Sequence, residues 1–337
     1  MARVSIIGGG AYGSALASHL SRNGAEVILW VREESVADEI NHRHQNVTFL
    51  PDIPLAEGLK ATARLTEAVT GREILVSVVP SQFIRPVLSE IASLLTPPGR
   101  APTGQAPTGQ APSQLIVSAS KGIEAESGKL LSQVFEETVP KGFHPGLAYL
   151  SGPSFAKELA LGHPSAVALG CRQESAAVRI QQAFQSDSFF LDWTPDVTGV
   201  VLGGAVKNVI AIACGIADGL GYGHSTRAMF MTRGLHEMVA LGEGLGAEPQ
   251  TFHGLSGVGD LIVTCMGELS RNKRVGIEIA SGKSLQKIQS EMKSVAEGVE
   301  TSRAIYKLAR SRGIKLPICE AVFKILHEGA SVKSILG

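Results

Sequence analysis

Up to about residue 192, short apolar runs alternate with longer stretches of helical periodicity. The runs are RVSIIG, AEVILWV, EILVSVVP, LIVSAS, LAYLSG and SAVALG. Each is too short to be a helix of its own, and Val, Ile and Leu follow one another in them without strict polar alternation. Strands covered on both faces read this way, and the helical stretches between them predict a parallel sheet. The expected fold class is α/β: an N-terminal Rossmann-type, doubly wound, mostly parallel sheet followed by an all-α C-terminal domain.

Past DWTPD, Asp192 to Asp196, the strand signals stop and Pro195 punctuates the chain. Helical patterns then cover 197–218, 226–246, 272–281, 284–292, 297–312 and 317–328. The division expected is a dinucleotide-binding domain over 1–192 and a helical substrate-binding domain over 193–337. One segment interrupts the first part: 97–114 holds APTGQ twice and a partial third copy. Pro, Gly, Thr and Gln cannot bury a core, so this segment is expected to be a flexible surface insertion.

Composition narrows the function. A chain of 337 residues exceeds what one core normally serves. Its 31 basic and 31 acidic residues balance, which argues against a nucleic-acid or membrane-surface partner. Cys171, Cys214, Cys265 and Cys319 lie far apart without a C-x-x-C, which suits a reduced, cytoplasmic setting. No zinc-ligand spacing occurs, and no metal is expected. The opening MARVSIIGGGAYGSALA has the outline of a signal peptide, but a strand, a glycine turn and a helix account for it better.

The stretch from Gly199 to Ala217 approaches the length of a membrane span and carries two polar side chains, Lys207 and Asn208. A lysine near the centre of a span costs about 2.5–3.5 kcal/mol on insertion scales, so a buried soluble helix is preferred and no span is expected. A buried ammonium is costly unless paired. An isolated lysine usually packs its stem and sends its head to water, but no polar stripe accompanies Lys207. The expectation is that it faces something negative in a cleft.

Gly8, Gly10 and Gly13 form G-x-G-x-x-G after one strand and at the opening of a helix, and a second strand follows. In that context the motif reads as a dinucleotide turn: Gly8 for the tight turn, Gly10 for approach to a pyrophosphate, Gly13 for helix–strand packing. The helix N-terminus presents unpaired N–H groups to the phosphates. At the end of the second strand stands Arg32, where an NAD-preferring site usually carries an acidic residue. Arginine suits the additional phosphate of NADP(H). Glu33 and Glu34 follow, so NAD(H) use is expected as well.

Four further stretches place polar residues in small or apolar surroundings. SASKG sets Lys121 just past a strand, and SGPSFAKE is a strand-to-helix turn. GLSGVGDLIVTC holds Asp260 with Thr264 one helical turn on, and LSRNKRVG is a basic cluster containing Asn272. Singly, Lys121 reads as a solvated loop residue, Asp260 as a helix cap and Ser270 as an N-cap. Together they suit a small phosphorylated carbonyl compound beside a reducing cofactor.

With these motifs in order and spacing, the chain resembles the NAD(P)-dependent glycerol-3-phosphate dehydrogenases, bacterial type, over nearly its whole length. GGAVKN, and SRN following GDL, carry most of that resemblance. It implies that dihydroxyacetone phosphate is reduced to sn-glycerol 3-phosphate for phospholipid synthesis, with Lys207 as proton donor or acceptor and Lys121 and Asp260 beside it. It also implies substrate contacts at Lys121, Gly152, Ser154, Lys207, Asp260, Ser270, Arg271 and Asn272. Asn208 and Thr264 are added as candidates to complete the pocket. Ala11, Tyr12, Arg32, Lys121, Ala156, Arg271, Val295 and Glu297 fall at cofactor-contact positions. On this reading Lys207 is buried because the substrate is its partner. A two-domain hydroxy-acid dehydrogenase and a non-catalytic NADP(H)-binding sensor stay as alternatives. A homodimer is expected from the apolar helical half.

Overall fold

A computed structural model describes residues 1–95, 112–292 and 295–336. All but the last three residues of the expected insertion at 97–114 lie outside the described residues.

The strands are β1 (Arg3–Ile7), β2 (Glu26–Trp30), β3 (Lys60–Thr62), β4 (Ile74–Ser77), β5 (Leu115–Ser118), β6 (Leu147–Ser151), β7 (Ser165–Cys171) and β8 (Phe189–Thr194). They form one sheet in the order β3-β2-β1-β4-β5-β6-β7-β8. Every pairing is parallel except β6 with β7. The strand order reverses between β1 and β4, which opens a crevice at the carboxyl ends of the strands, where open α/β sheets bind ligands.

All six apolar runs are strands. Two strands were not foreseen, and both are sheet edges. β3 has only 3 residues, too few to show a period. β8 begins with strict alternation of buried and exposed residues, as an edge strand with one wet face does. It carries the chain to Thr194, and the first long helix starts at Val197.

The helical half follows the predicted periods closely. Helices span Val197–Gly219, His224–Glu243, Arg271–Ala280, Leu285–Glu291, Glu297–Arg312 and Pro317–His327. A short helix, Asp260–Met266, enters through a π-turn at Leu255–Gly259. Val197–Gly219 is the central helix. It is long and apolar enough to cross a membrane, yet its most apolar window lies wholly inside the fold. Helices from both halves of the chain and strands β6 and β7 pack around it, which is why it is apolar on all sides. Asp196 caps it, accepting from Gly199 N at 2.9 Å, and also holds Glu248 N and Thr251 Oγ1.

Arg271–Ala280 packs most extensively on the central helix. Backbones meet at that crossing: a Cβ on Gly276 would stand 2.2 Å from Ile212 O. One apolar cluster joins one sheet face, through Ile7, Leu75, Ile116 and Tyr149, to the central helix. The shared core presses the middle of that helix against the carboxyl ends of the strands.

Candidate active site

The glycine turn begins where β1 ends. Gly8 has φ +122°, and a Cβ on Gly13 would stand 1.9 Å from Gly8 O, so turn and helix touch at backbone distance. Gly10 is the N-cap of helix Ala11–Arg22 with no side chain capping it. A Cβ on Gly10 would meet nothing within 4 Å. Open space in front of uncapped N–H groups is what a dinucleotide pyrophosphate requires, so these residues fit the cofactor. Asn46 braces the turn, its Nδ2 donating to Gly9 O at 2.9 Å and to Ser14 Oγ at 2.8 Å.

The polar centre lies between the central helix, the β5 and β6 ends and helix Asp260–Met266. Asp260 is 2% exposed and joins two lysines. Its Oδ1 lies 3.1 Å from Lys207 Nζ, and its Oδ2 lies 2.5 Å from Lys121 Nζ. Lys207 also donates to Thr264 Oγ1 at 2.8 Å, and Lys121 to Gly152 O at 3.0 Å. Ser151 Oγ donates to Asp260 Oδ2 at 3.4 Å. The central helix comes this close because residue 204 is glycine: a Cβ there would stand 2.5 Å from Ser151 Oγ.

The expected partner of Lys207 was the substrate. Its standing partner is Asp260, and the carboxylate caps no helix. An ammonium has three donors. Two on each lysine are committed within the protein, which leaves one N–H on Lys207 and one on Lys121 for a ligand.

Burial lowers the Lys207 ammonium to about 8; Asp260 opposes that fall and Lys121 adds to it. Burial alone would raise the Asp260 carboxyl, but the two ammoniums outweigh it and hold it below its usual value. The net sign for Lys207, open in the sequence, is therefore downward.

The basic cluster divides by role. Lys273 is buried and pairs with Asp218 at 3.1 Å, and exposed Arg274 pairs with Glu278. Ser270 is the N-cap, accepting from Lys273 N at 3.3 Å. Among the described residues no hydrogen bond or ion pair holds the Arg271 guanidinium. It is exposed yet crowded by protein atoms that lower its pKa by desolvation, with Glu297 opposing. Asn272 donates to Asn208 Oδ1 at 2.8 Å and accepts from Gly298 N at 2.9 Å, while Asn208 donates to Gly204 O. The two asparagines tie three helices together.

The remaining cofactor candidates surround the crevice. Arg32 is highly exposed, and among the described residues its side chain hydrogen-bonds only its neighbour Glu33. Tyr12 OH and Ser154 Oγ lie 3.1 Å apart. Ala156 opens a short helix that packs on Ala11–Arg22. Val295 is exposed and apolar, so only its backbone can contact a polar ligand. Glu297 accepts from Ser81 N at 3.0 Å and from Ser81 Oγ, spanning the crevice. Burial raises its pKa, while Ser81 and Arg271 oppose that.

Sequence reading passed over Ser81, Gln82, Ser151, Gly204 and Asn46 as site components. Gln82 donates to Ile123 O and accepts from Ala125 N, which fixes the loop carrying Lys121. These are small or neutral residues in varied elements, Gly204 within the central helix among them, and only Ser151, at a strand end within SGPS, carried any local signal.

Known proteins share this sequence pattern and fold. The N-terminal family of NAD-dependent glycerol-3-phosphate dehydrogenase matches residues 3–177, and the C-terminal family matches 196–337. The chain is 46% identical over 332 residues to glycerol-3-phosphate dehydrogenase (NAD(P)+) of Myxococcus xanthus, covering 98% of this chain and 95% of that protein. It is 44% identical over 334 residues to the enzyme of the same name from Leptospira biflexa, covering 99% and 96%. The crystal structure of glycerol-3-phosphate dehydrogenase from Coxiella burnetii matches with a TM-score of 0.89 at 32% identity, covering 99% of this chain and 98% of that one. A D-mandelate dehydrogenase, at 16% identity and a TM-score of 0.64 with 99% and 100% covered, shares the fold alone.

Proposed function

This chain belongs to the NAD-dependent glycerol-3-phosphate dehydrogenase family, and from that premise we propose that Lys207 is the proton donor to the ketone oxygen, with Lys121 beside it. The reaction is the reversible, NAD(P)H-dependent reduction of dihydroxyacetone phosphate to sn-glycerol 3-phosphate, which supplies the backbone of phospholipids. When bound, the reduced nicotinamide supplies the hydride. Gly8, Gly10, Ala11, Tyr12 and Gly13 hold the cofactor's pyrophosphate, and Arg32 reads the additional phosphate of NADP(H).

The observation that carries this reading is the buried Asp260 between the buried Lys207 and the partly buried Lys121, each lysine with one N–H to spare. Reduction leaves negative charge on the former carbonyl oxygen. The free N–H groups of Lys207 and Lys121 stabilise that charge in a water-poor site, where such donors act most strongly. Lys207, at about 8, is mostly ammonium near neutral pH and gives up its proton readily. Thr264 and Asp260 aim it. Arg271, the cation of its cluster without a partner among the described residues, clamps the substrate phosphate with its planar fork. Gly152, Ser154, Ser270 and Asn272 close the pocket, and Asn208 holds Asn272 in place.

The division is proposed within 192–196, where β8 ends at Thr194 and before the central helix starts at Val197. A cytoplasmic, homodimeric enzyme completes the proposal. Four free, buried thiols support a reducing compartment. Exposed Ile262 and Met266, one helical turn apart, support an apolar contact between copies. Sedimentation velocity at micromolar protein tests the dimer.

The primary experiment follows oxidation of NADPH and NADH, with and without dihydroxyacetone phosphate. Ketone-dependent oxidation is expected with both. Its absence, with cofactor still bound, would move the reading to a hydroxy-acid dehydrogenase or a sensor.

A further inference from the structure

We infer that the Tyr12 hydroxyl is a positioning residue that ties the cofactor turn to the substrate loop and thereby sets affinity for the phosphorylated ketone. This rests on the glycerol-3-phosphate dehydrogenase reading and goes beyond it, since the family resemblance places Tyr12 only at a cofactor contact. Tyr12 is the second residue of helix Ala11–Arg22, so its backbone belongs to the phosphate-holding turn. Its side chain leaves that turn and reaches Ser154, 142 residues on.

The hydrogen bonds run in one direction. Ser154 Oγ donates to Gly152 O at 3.4 Å, so it accepts from Tyr12. Burial pushes the Tyr12 hydroxyl up to about 12, which keeps it protonated and a donor. Gly152 O in turn accepts from Lys121 Nζ at 3.0 Å. A continuous path therefore links the cofactor helix to Lys121 and, through Asp260, to Lys207. The loop has little room at its centre: a Cβ on Gly152 would stand 2.7 Å from Val167 Cα, so the Gly152 backbone packs directly on β7. Ser154 is the adjustable part, and Tyr12 fixes its rotamer.

Phenylalanine at position 12 keeps the ring and removes only the donor. One neutral hydrogen bond corresponds to about a 2–10-fold change in affinity. Tyr12→Phe is expected to raise KM for dihydroxyacetone phosphate by about that factor, while the NADPH dissociation constant, read by cofactor fluorescence, stays within about twofold. Residues acting through one another are not additive. Tyr12→Phe is therefore expected to change nothing further in a Ser154→Ala background. Thermal melts confirm that each variant folds.

An unchanged ketone KM in Tyr12→Phe overturns the inference. So does a loss confined to NADPH binding, or effects of the two substitutions that multiply. If the unmutated protein fails to turn over dihydroxyacetone phosphate, the reaction itself is wrong, which is a separate result from a normal enzyme with an indifferent Tyr12→Phe variant.

Discussion

Lys207 Nζ lies 3.1 Å from Asp260 Oδ1 in the interior of the fold, and the other oxygen of the same carboxylate is taken by Lys121. On the proposed mechanism, the protonation of Lys207 governs how fast each direction of the reaction runs. Below about pH 8 it is an ammonium and can donate; above, it is neutral and can accept. Turnover of the ketone is expected to fall as pH rises through that value, and oxidation of glycerol 3-phosphate to rise. Asp260 raises the Lys207 pKa, so Asp260→Asn should move both limbs toward lower pH. Limbs that stay in place in pH–rate profiles of the variant would remove Lys207 as the titrating group.

Loss of the ammonium itself is more severe. Lys207→Ala is expected to lower kcat by about 10²–10⁴, the range for a general acid. Asp260 keeps Lys121 as its partner in this variant, so the fold should persist, as circular dichroism can verify. A folded Lys207→Ala enzyme with near-normal turnover would refute the assignment.

Arg271 tests the phosphate. Lysine at this position keeps the charge but cannot offer two parallel N–H donors. Arg271→Lys is expected to raise KM for dihydroxyacetone phosphate by about tenfold, equivalent to one charge-assisted hydrogen bond, with a smaller change in kcat. Initial-rate kinetics at saturating cofactor would show it. An unchanged KM would place the phosphate elsewhere.

Arg32 tests the cofactor. Its surface pair with Glu33 is the kind worth about 0–1 kcal/mol, so the guanidinium is free to turn toward a ligand. Arg32→Ala is expected to weaken NADPH more than NADH in direct binding. Equal losses would show that Arg32 does not read the additional phosphate.

Much of this architecture could be read along the chain because its causes are local. The glycine turn is set by neighbours in sequence, and Gly8, Gly13 and the helix after them behave as their spacing requires. The helical half kept its periods because amphipathic or wholly apolar stretches declare which faces are covered. Two edge strands escaped, one for being short and one for being half exposed. Lys207 could be singled out because a charge within an apolar helix demands a partner.

Which partner it finds was beyond the sequence. Lys121 and Asp260 are 139 residues apart, and only the packing of the central helix on the strand ends brings them together. The same applies within LSRNKRVG, where five polar neighbours look alike as a string. Tertiary contacts assign Lys273 to Asp218 and Asn272 to Asn208, and leave Arg271 without a partner among the described residues, while the Ser270 cap is local and was legible in the sequence. Local chemistry thus determined which residues need a partner. Long-range packing decided which partner each received, because electrostatic and hydrogen-bond energies depend on distances that sequence separation does not specify.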